Sequence, residues 1–142
     1  MRNSAVKIVP SPSKDRTLDQ KTLLSLIIPI YNEEEVLESL FRRLQDVAND
    51  LPVRVECVLV DDGSSDKSLE IMEKFTEQDE RFRIVILSRN FGHQSAVYTG
   101  LSIALGDVVA ILDADLQDPP EILGPMLDRW AAGIDMVYGK RR

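Results

Sequence analysis

The segment Leu23–Ile30, LLSLIIPI, is an almost unbroken apolar run only eight residues long. A run of that length without alternation suits a strand buried on both faces. Val53–Val60 has the same character, and Arg83–Leu87, Val108–Leu112 and Ile134–Tyr138 supply three further strand candidates. Between them the apolar period lengthens to that of helices. Glu33–Asp50 carries Val36, Leu37, Leu40, Phe41, Leu44, Val47 and Ala48 on one side, and Leu69, Met72 and Phe75 mark a second helix. Gln94–Leu105 is a third helix, with Ala96, Val97, Gly100, Leu101 and Ala104 as its small apolar side. Glu121–Ala132 is a fourth, led in by Pro119 and Pro120. Strands alternating with helices imply crossover connections. The expected fold is therefore α/β, a mostly parallel sheet with helices on both faces. Such a sheet binds ligands outside the carboxyl ends of its strands, where the strand order reverses.

The chain of 142 residues is long enough to bury a core without disulfides or a structural metal. Its single cysteine, Cys57, lies inside the apolar run Val55–Val60 and reads as a small buried hydrophobe, the usage of a reducing compartment. The formal charge of −7 is uneven. Residues 1–22 are net basic, polar and interrupted by Pro10 and Pro12, which reads as a flexible arm preceding a domain over 23–142. The acidic remainder argues against nucleic acid as a partner, whereas a basic arm suits anionic lipid or is a leader with incidental charge. No stretch reaches the roughly 18 apolar residues of a membrane span, and the N-terminus lacks the apolar core of a signal peptide. The chain by itself is expected to be soluble.

The chemistry is expected in the polar segments after the strands. Tyr31, Asn32 and Glu33 follow the first; Asp61, Asp62 and Gly63 the second; Ser88, Arg89, Asn90, Phe91 and Gly92 the third; Asp113, Asp115, Gln117 and Asp118 the fourth. Acids, amides, an arginine and aromatics on one edge suit a nucleotide with its metal. Neither G-x-x-x-x-G-K-S/T nor G-x-G-x-x-G is present, which disfavours phosphate-loop hydrolases and dinucleotide oxidoreductases. Without a glycine nest, a diphosphate needs a bridging cation, and Asp113-x-Asp115 offers hard oxygen ligands for Mg²⁺ or Mn²⁺. In an extended segment the two carboxylates face one way, and Gln117 continues that two-residue spacing.

PIYNEE (Pro29–Glu34), VDDGSSD (Val60–Asp66), SRNFGHQSA (Ser88–Ala96) and DADLQDPPE (Asp113–Glu121) together resemble the family 2 glycosyltransferases. More narrowly they resemble the polyprenyl-phosphate branch, the dolichol-phosphate mannose synthases and bactoprenol glucosyltransferases. The resemblance runs from about Leu24 to Tyr138. It implies a GT-A fold, a UDP- or GDP-sugar donor, a polyprenyl phosphate acceptor, Mg²⁺ or Mn²⁺, and inversion at the anomeric carbon. By position it implies that Pro29, Tyr31, Glu33, Asp61, Asp62, Asn90 and Asp113 bind the nucleotide. Asp113, Asp115 and Gln117 become the metal ligands, and Asp115, Asp118 and Arg89 the candidate catalytic residues. Family members continue with an acceptor-side segment and commonly two membrane helices. The longer form is thus expected at the cytoplasmic face of a membrane, and these 142 residues are expected to bind donor without transferring it. Homo-oligomerisation stays open.

Each residue also has a plainer reading. Tyr31 would pack on the sheet edge, Asn32 would cap the first helix, Asp66 would cap the second, and Trp130 would serve core or interface. His93, the only histidine, stands where related sequences usually carry lysine, and it is not assigned a catalytic role. The terminal Lys140, Arg141 and Arg142 either begin a phosphate-contacting stretch or are surface. Two further functional readings remain: a family 2 enzyme with a soluble or polysaccharide acceptor, against which the SRNFG segment argues, and a non-catalytic nucleotide-binding fragment.

Overall fold

The structure, a computed structural model, describes residues 16–140. The first fifteen residues of the expected arm, and Arg141 and Arg142 of the basic terminus, lie outside the described residues. The elements run β1 (Leu23–Ile30), α1 (Glu34–Asp50), β2 (Arg54–Asp61), α2 (Ser68–Gln78), β3 (Phe82–Ile86), α3 (His93–Ile103), β4 (Val108–Ile111), a 3-10 turn (Pro120–Ile122) and α4 (Leu123–Ala131). All pairings are parallel, in the order β3-β2-β1-β4. The chain steps outward from β1 to β3 and then returns to the other side of β1. The order therefore reverses between β1 and β4, which places a crevice at their carboxyl ends.

Burial follows the apolar runs. Of β1 and β2 only the first residue of each escapes full burial, as expected of central strands covered on both faces. The larger core lies under α1 and α2, where Leu37, Leu40, Phe41, Leu44, Met72 and Phe75 meet Leu24, Leu26, Ile28 and Leu59. The Phe41 ring meets Phe75 edge-on at 4.9 Å and Phe82 at 5.6 Å. Cys57 belongs to this core, and burial pushes its thiol up to about 12. On the opposite face Ile27, Val58 and Val60 pack against Ala96 of α3. Gly100 lets α3 approach, since a Cβ there would lie 2.3 Å from Ile27 Cγ2.

Three expectations are corrected. Ile134–Tyr138 forms no strand, and the sheet has four strands among the described residues. The chain leaves α4 through Gly133 at φ 103°, and Arg16 takes the Ile134 carbonyl at 3.0 Å together with the Asp135 carboxylate. That carbonyl is therefore engaged by a side chain, and Met136 and Tyr138 stay exposed. The fourth helix begins with a 3-10 turn, Pro120 occupying a first-turn position where its missing N–H costs nothing. Residues 16–22, assigned to the arm, pack on the domain: Arg16 lies over the Trp130 ring at 4.9 Å and Arg54 Nε donates to the Gln20 carbonyl. Trp130 thus serves packing, as its plainer reading holds.

A close backbone approach at Gly63 holds two of the loops that shape the crevice. Gly63, at φ 74°, abuts the β3–α3 loop so tightly that a Cβ would lie 2.5 Å from the Asn90 nitrogen and 2.6 Å from the Arg89 carbonyl carbon. Gly92, at φ 104°, has open space around the same position. Both resist substitution by strain, but only Gly63 adds backbone overlap. Gly63→Ala is therefore expected to destabilise the fold by about 1–3 kcal/mol more than Gly92→Ala. Equal losses in urea denaturation would show that the two loops are not in tight contact.

At the far end of α2, the hydrogen bond from Arg81 holds the Asp79 carboxyl below its ordinary range, although burial opposes it. A depressed carboxyl contributes stability above its unfolded value of about 3.9, and that stability is lost as the pH falls through the folded value. Arg81→Met is expected to flatten this acid limb, measured as denaturation midpoints from about pH 5 down to about pH 2. An unchanged slope would remove the pair from the account.

Candidate donor-binding site

The carboxyl end of the sheet is held by side chains that satisfy backbone amides across loops. Asp62, only 3% exposed, accepts from the Phe91 amide at 2.8 Å, the Gly92 amide at 3.1 Å and the Asn90 side-chain amide at 3.3 Å. The end of β2 is thereby fastened to the start of α3. Asp61, also buried, accepts from the Ser64 amide at 3.1 Å and shapes the turn after β2.

The N-termini of α1 and α2 cap one another. Ser68 Oγ accepts from the Glu33 amide at 2.9 Å, and Asp66 accepts from the amides of Glu34 and Ser68. In return, Glu34 accepts from the Lys67 amide at 3.0 Å. Burial alone would raise the Asp66 carboxyl, yet the hydrogen bonds from Ser68 and Glu34 hold it below its ordinary range. Asp66 is therefore a helix cap, as its plainer reading has it. Asn32 is not a cap of α1. At φ 49° it turns the chain out of β1, and its Oδ1 accepts from the amides of Ser65 and Asp66 at 2.8 and 3.3 Å. It ties the two loops together instead.

These contacts frame a cleft of about 500 Å³ at the β1–β4 crevice, lined by Pro29, Tyr31, Glu33, Asp62, Asn90, Asp113 and Asp115 among the residues expected there. Ile30, Gly92, His93 and Ala114 complete its lining. Tyr31 is half exposed. The Glu33 carboxyl sits above its ordinary range, first because of partial burial and then because of the charges of Asp115 and Asp66. The cleft is thus crowded with carboxylates and, among the described residues, lined by neither lysine nor arginine.

Four expected residues stand elsewhere. Asp61 is spent on its turn. Arg89 points its guanidinium over the Phe91 ring at 4.2 Å and does not line the cleft. Asp118 borders a second, largely apolar cavity between β4, α4 and residues 135–139. Gln117 fails to continue the spacing of Asp113 and Asp115 because the chain turns at Ala114–Asp115 and Leu116 adopts φ 61°. Its amide donates to Asp115 Oδ1 at 3.1 Å, so Gln117 fixes that carboxylate through its backbone. Sequence reasoning gave His93 no role. The structure sets its Nε2 3.0 Å from Asp113 Oδ1, and its place three residues beyond Asn90 at the head of α3 was the available signal.

Among the described residues no group of three or more His, Cys, Asp or Glu side chains is arranged to hold a metal alone. The donor set nevertheless fits a hard divalent ion. Mg²⁺ is characteristically held by one or two carboxylates together with substrate phosphates, and Asp113 and Asp115 at one cleft wall match that chemistry.

The chain is 44% identical over 116 residues to the undecaprenyl-phosphate 4-deoxy-4-formamido-L-arabinose transferase of Pseudomonas aeruginosa, covering 81% of this chain and 34% of that protein. It spans about a third of the length of the curated relatives it matches. Among solved structures, TarS of S. aureus in complex with UDP superposes with a TM-score of 0.58 at 32% identity, over 65% of this chain and 27% of that one. The mannosyltransferase PcManGT of Pyrobaculum calidifontis, in complex with GDP-Man and Mn²⁺, gives a TM-score of 0.64 at 25% identity, over 88% and 33%. These neighbours share the GT-A fold, the parallel sheet with helices described above. A family model for glycosyl transferase family 2 matches residues 25–142, and the chain belongs to that family.

Proposed function

We propose that this chain carries the donor side of a glycosyltransferase that moves a sugar from a UDP- or GDP-sugar to a polyprenyl phosphate, with inversion and with Mg²⁺ or Mn²⁺. The observation that carries the reading is the convergence of Tyr31, Glu33, Asp62, Asn90, Asp113 and Asp115 in one cleft at the strand-order reversal. The uridine and guanosine nucleotides of the structural neighbours, and the undecaprenyl phosphate in a relative's name, support donor and acceptor classes.

In this reading Pro29 and Tyr31 present an apolar and aromatic wall to the base, and Glu33 and Asp62 offer acceptors to its N–H groups or to ribose hydroxyls. Asp113 and Asp115 would hold the cation, which when bound neutralises charge on the leaving diphosphate. The turn at Leu116 and the Gln117 amide keep Asp115 directed at the cleft. A phosphate acceptor is already anionic near neutral pH, so it calls for positioning rather than a strong general base. A lipid acceptor implies a membrane-associated setting for the reaction. Among the described residues no helix is long and apolar enough to cross a membrane.

Calorimetric titration with UDP, GDP and their sugars, with and without Mn²⁺, is expected to show metal-dependent binding of one nucleotide class. Asp115→Asn should weaken that binding by at least about tenfold, the scale on which even outer-shell changes act on metal affinity. Failure of every nucleotide to bind a folded sample would remove the site assignment. Unchanged affinity in the variant would mean that the metal lies elsewhere.

A further inference from the structure

Asp113 and His93 form a pair that the proposed donor chemistry does not by itself require. Among the described residues, His93 is the one side chain that hydrogen-bonds the Asp113 carboxylate, at 3.0 Å from Nε2. The other cleft carboxylates are restrained differently. Asp62 takes three hydrogen bonds from the β3–α3 loop, and Asp115 takes the Gln117 amide. Without His93, Asp113 would be the cleft aspartate left to rotate freely. A carboxylate only accepts, so Nε2 carries the hydrogen and the imidazole donates.

The pair is too exposed to matter much for folding. The two side chains keep 61% and 44% of their surface, and solvent screens pairs as exposed as this. Its location is more telling. His93 is the first residue of α3, and the residues just before it are fastened to Asp62 through the Phe91 and Gly92 amides. The imidazole therefore stands on a fixed base at the cleft wall, with Asp113 on the facing β4 side.

We propose that His93 is a positioning residue of the donor site: its Nε2–H holds the Asp113 carboxylate in the orientation that receives the metal-bound nucleotide. The inference rests on the donor-site reading above. His93 acts through Asp113 and needs no contact with the nucleotide, and the role calls for a hydrogen-bond donor of suitable reach rather than a fixed positive charge.

A double-mutant cycle read by calorimetry with UDP or GDP and Mn²⁺ tests it. His93→Ala is expected to weaken binding by about tenfold, the low end for residues that orient metal ligands. His93→Gln, whose side-chain amide also donates, is expected to recover most of the loss. In an Asp113→Ala background, His93→Ala should add less than about a twofold change. Equal losses in both backgrounds would show direct contact with the ligand and overturn the proposal, as would no loss in either. A second measurement needs no nucleotide. The chain has one histidine, so its imidazole gives a single set of ¹⁵N resonances. The Nε2–H signal is expected to move in Asp113→Ala; if it stays, with nucleotide binding intact in the wild-type chain, this inference fails alone. If the signal moves yet no nucleotide binds the wild-type chain, the donor-site reading fails and takes the positioning role with it.

Discussion

The carboxylate of Asp62 is the interaction on which the cleft depends. It is buried, it directly follows the central strand β2, and it satisfies two backbone amides and one side-chain amide of the loop that begins α3. A buried carboxylate is tolerable only when most of its lone pairs are met, and here three hydrogen bonds reach it from a segment nearly thirty residues away. The same contacts determine where α3 starts, and so where Asn90, Gly92 and His93 stand along the cleft wall. Gly63 permits this arrangement because no side chain intervenes between the β2 turn and the Arg89–Asn90 backbone.

Around that centre the sheet does little chemistry but sets every position. β1 and β2 are buried on both faces and pair in register along their full length, so their carboxyl ends sit at a fixed height. β4 returns to the free side of β1 and delivers Asp113 and Asp115 opposite Tyr31 and Glu33. The polar network at the other end secures the return: Ser25 Oγ donates to buried Glu56 at 2.6 Å, which also accepts from the Leu105 amide at 2.8 Å and pairs with Arg83. Gly106 fits beneath it, its amide donating to Ser25 Oγ at 2.8 Å. The α3–β4 turn is thereby fixed from below, while Asp62 fixes the same helix from above.

Much of this was legible in the sequence because burial leaves a periodic trace. The unbroken runs of β1 and β2, and the helical spacing in α1, fixed fold class and element order, and from these the edge that carries the cleft. Seven of the residues expected there do line it. The failures have two causes: neither hydrogen bonds between side chains and distant loops nor single left-handed backbone residues leave a periodic trace. Asp61 and Asp62 are adjacent and alike in composition, yet one turns a loop and the other fastens α3. Asn32 looked like a cap and became a strut because its backbone enters the left-handed region. Gln117 was projected forward on an extended geometry that Leu116 breaks. Ile134–Tyr138 has strand-like composition, but an arginine from residue 16 occupies its first carbonyl.

The mutual capping of α1 and α2 has a consequence for how such an edge treats anions. In nucleotide-binding sheets with glycine-rich turns, helix N-termini keep free amides that receive phosphate directly. Here several of those amides are already taken by the chain: those of Glu33 and Glu34 by Ser68 and Asp66, those of Lys67 and Ser68 by Glu34 and Asp66, and those of Phe91 and Gly92 by Asp62. The fold has turned its customary anion receptors into internal fasteners, largely carboxylate ones. What it gains is rigidity at a loop-built rim. What it gives up is a resident welcome for negative charge, so under the proposed reading the capacity to receive a diphosphate is delegated to a diffusible ion. Occupancy of the cleft would then follow the supply of two solutes rather than one.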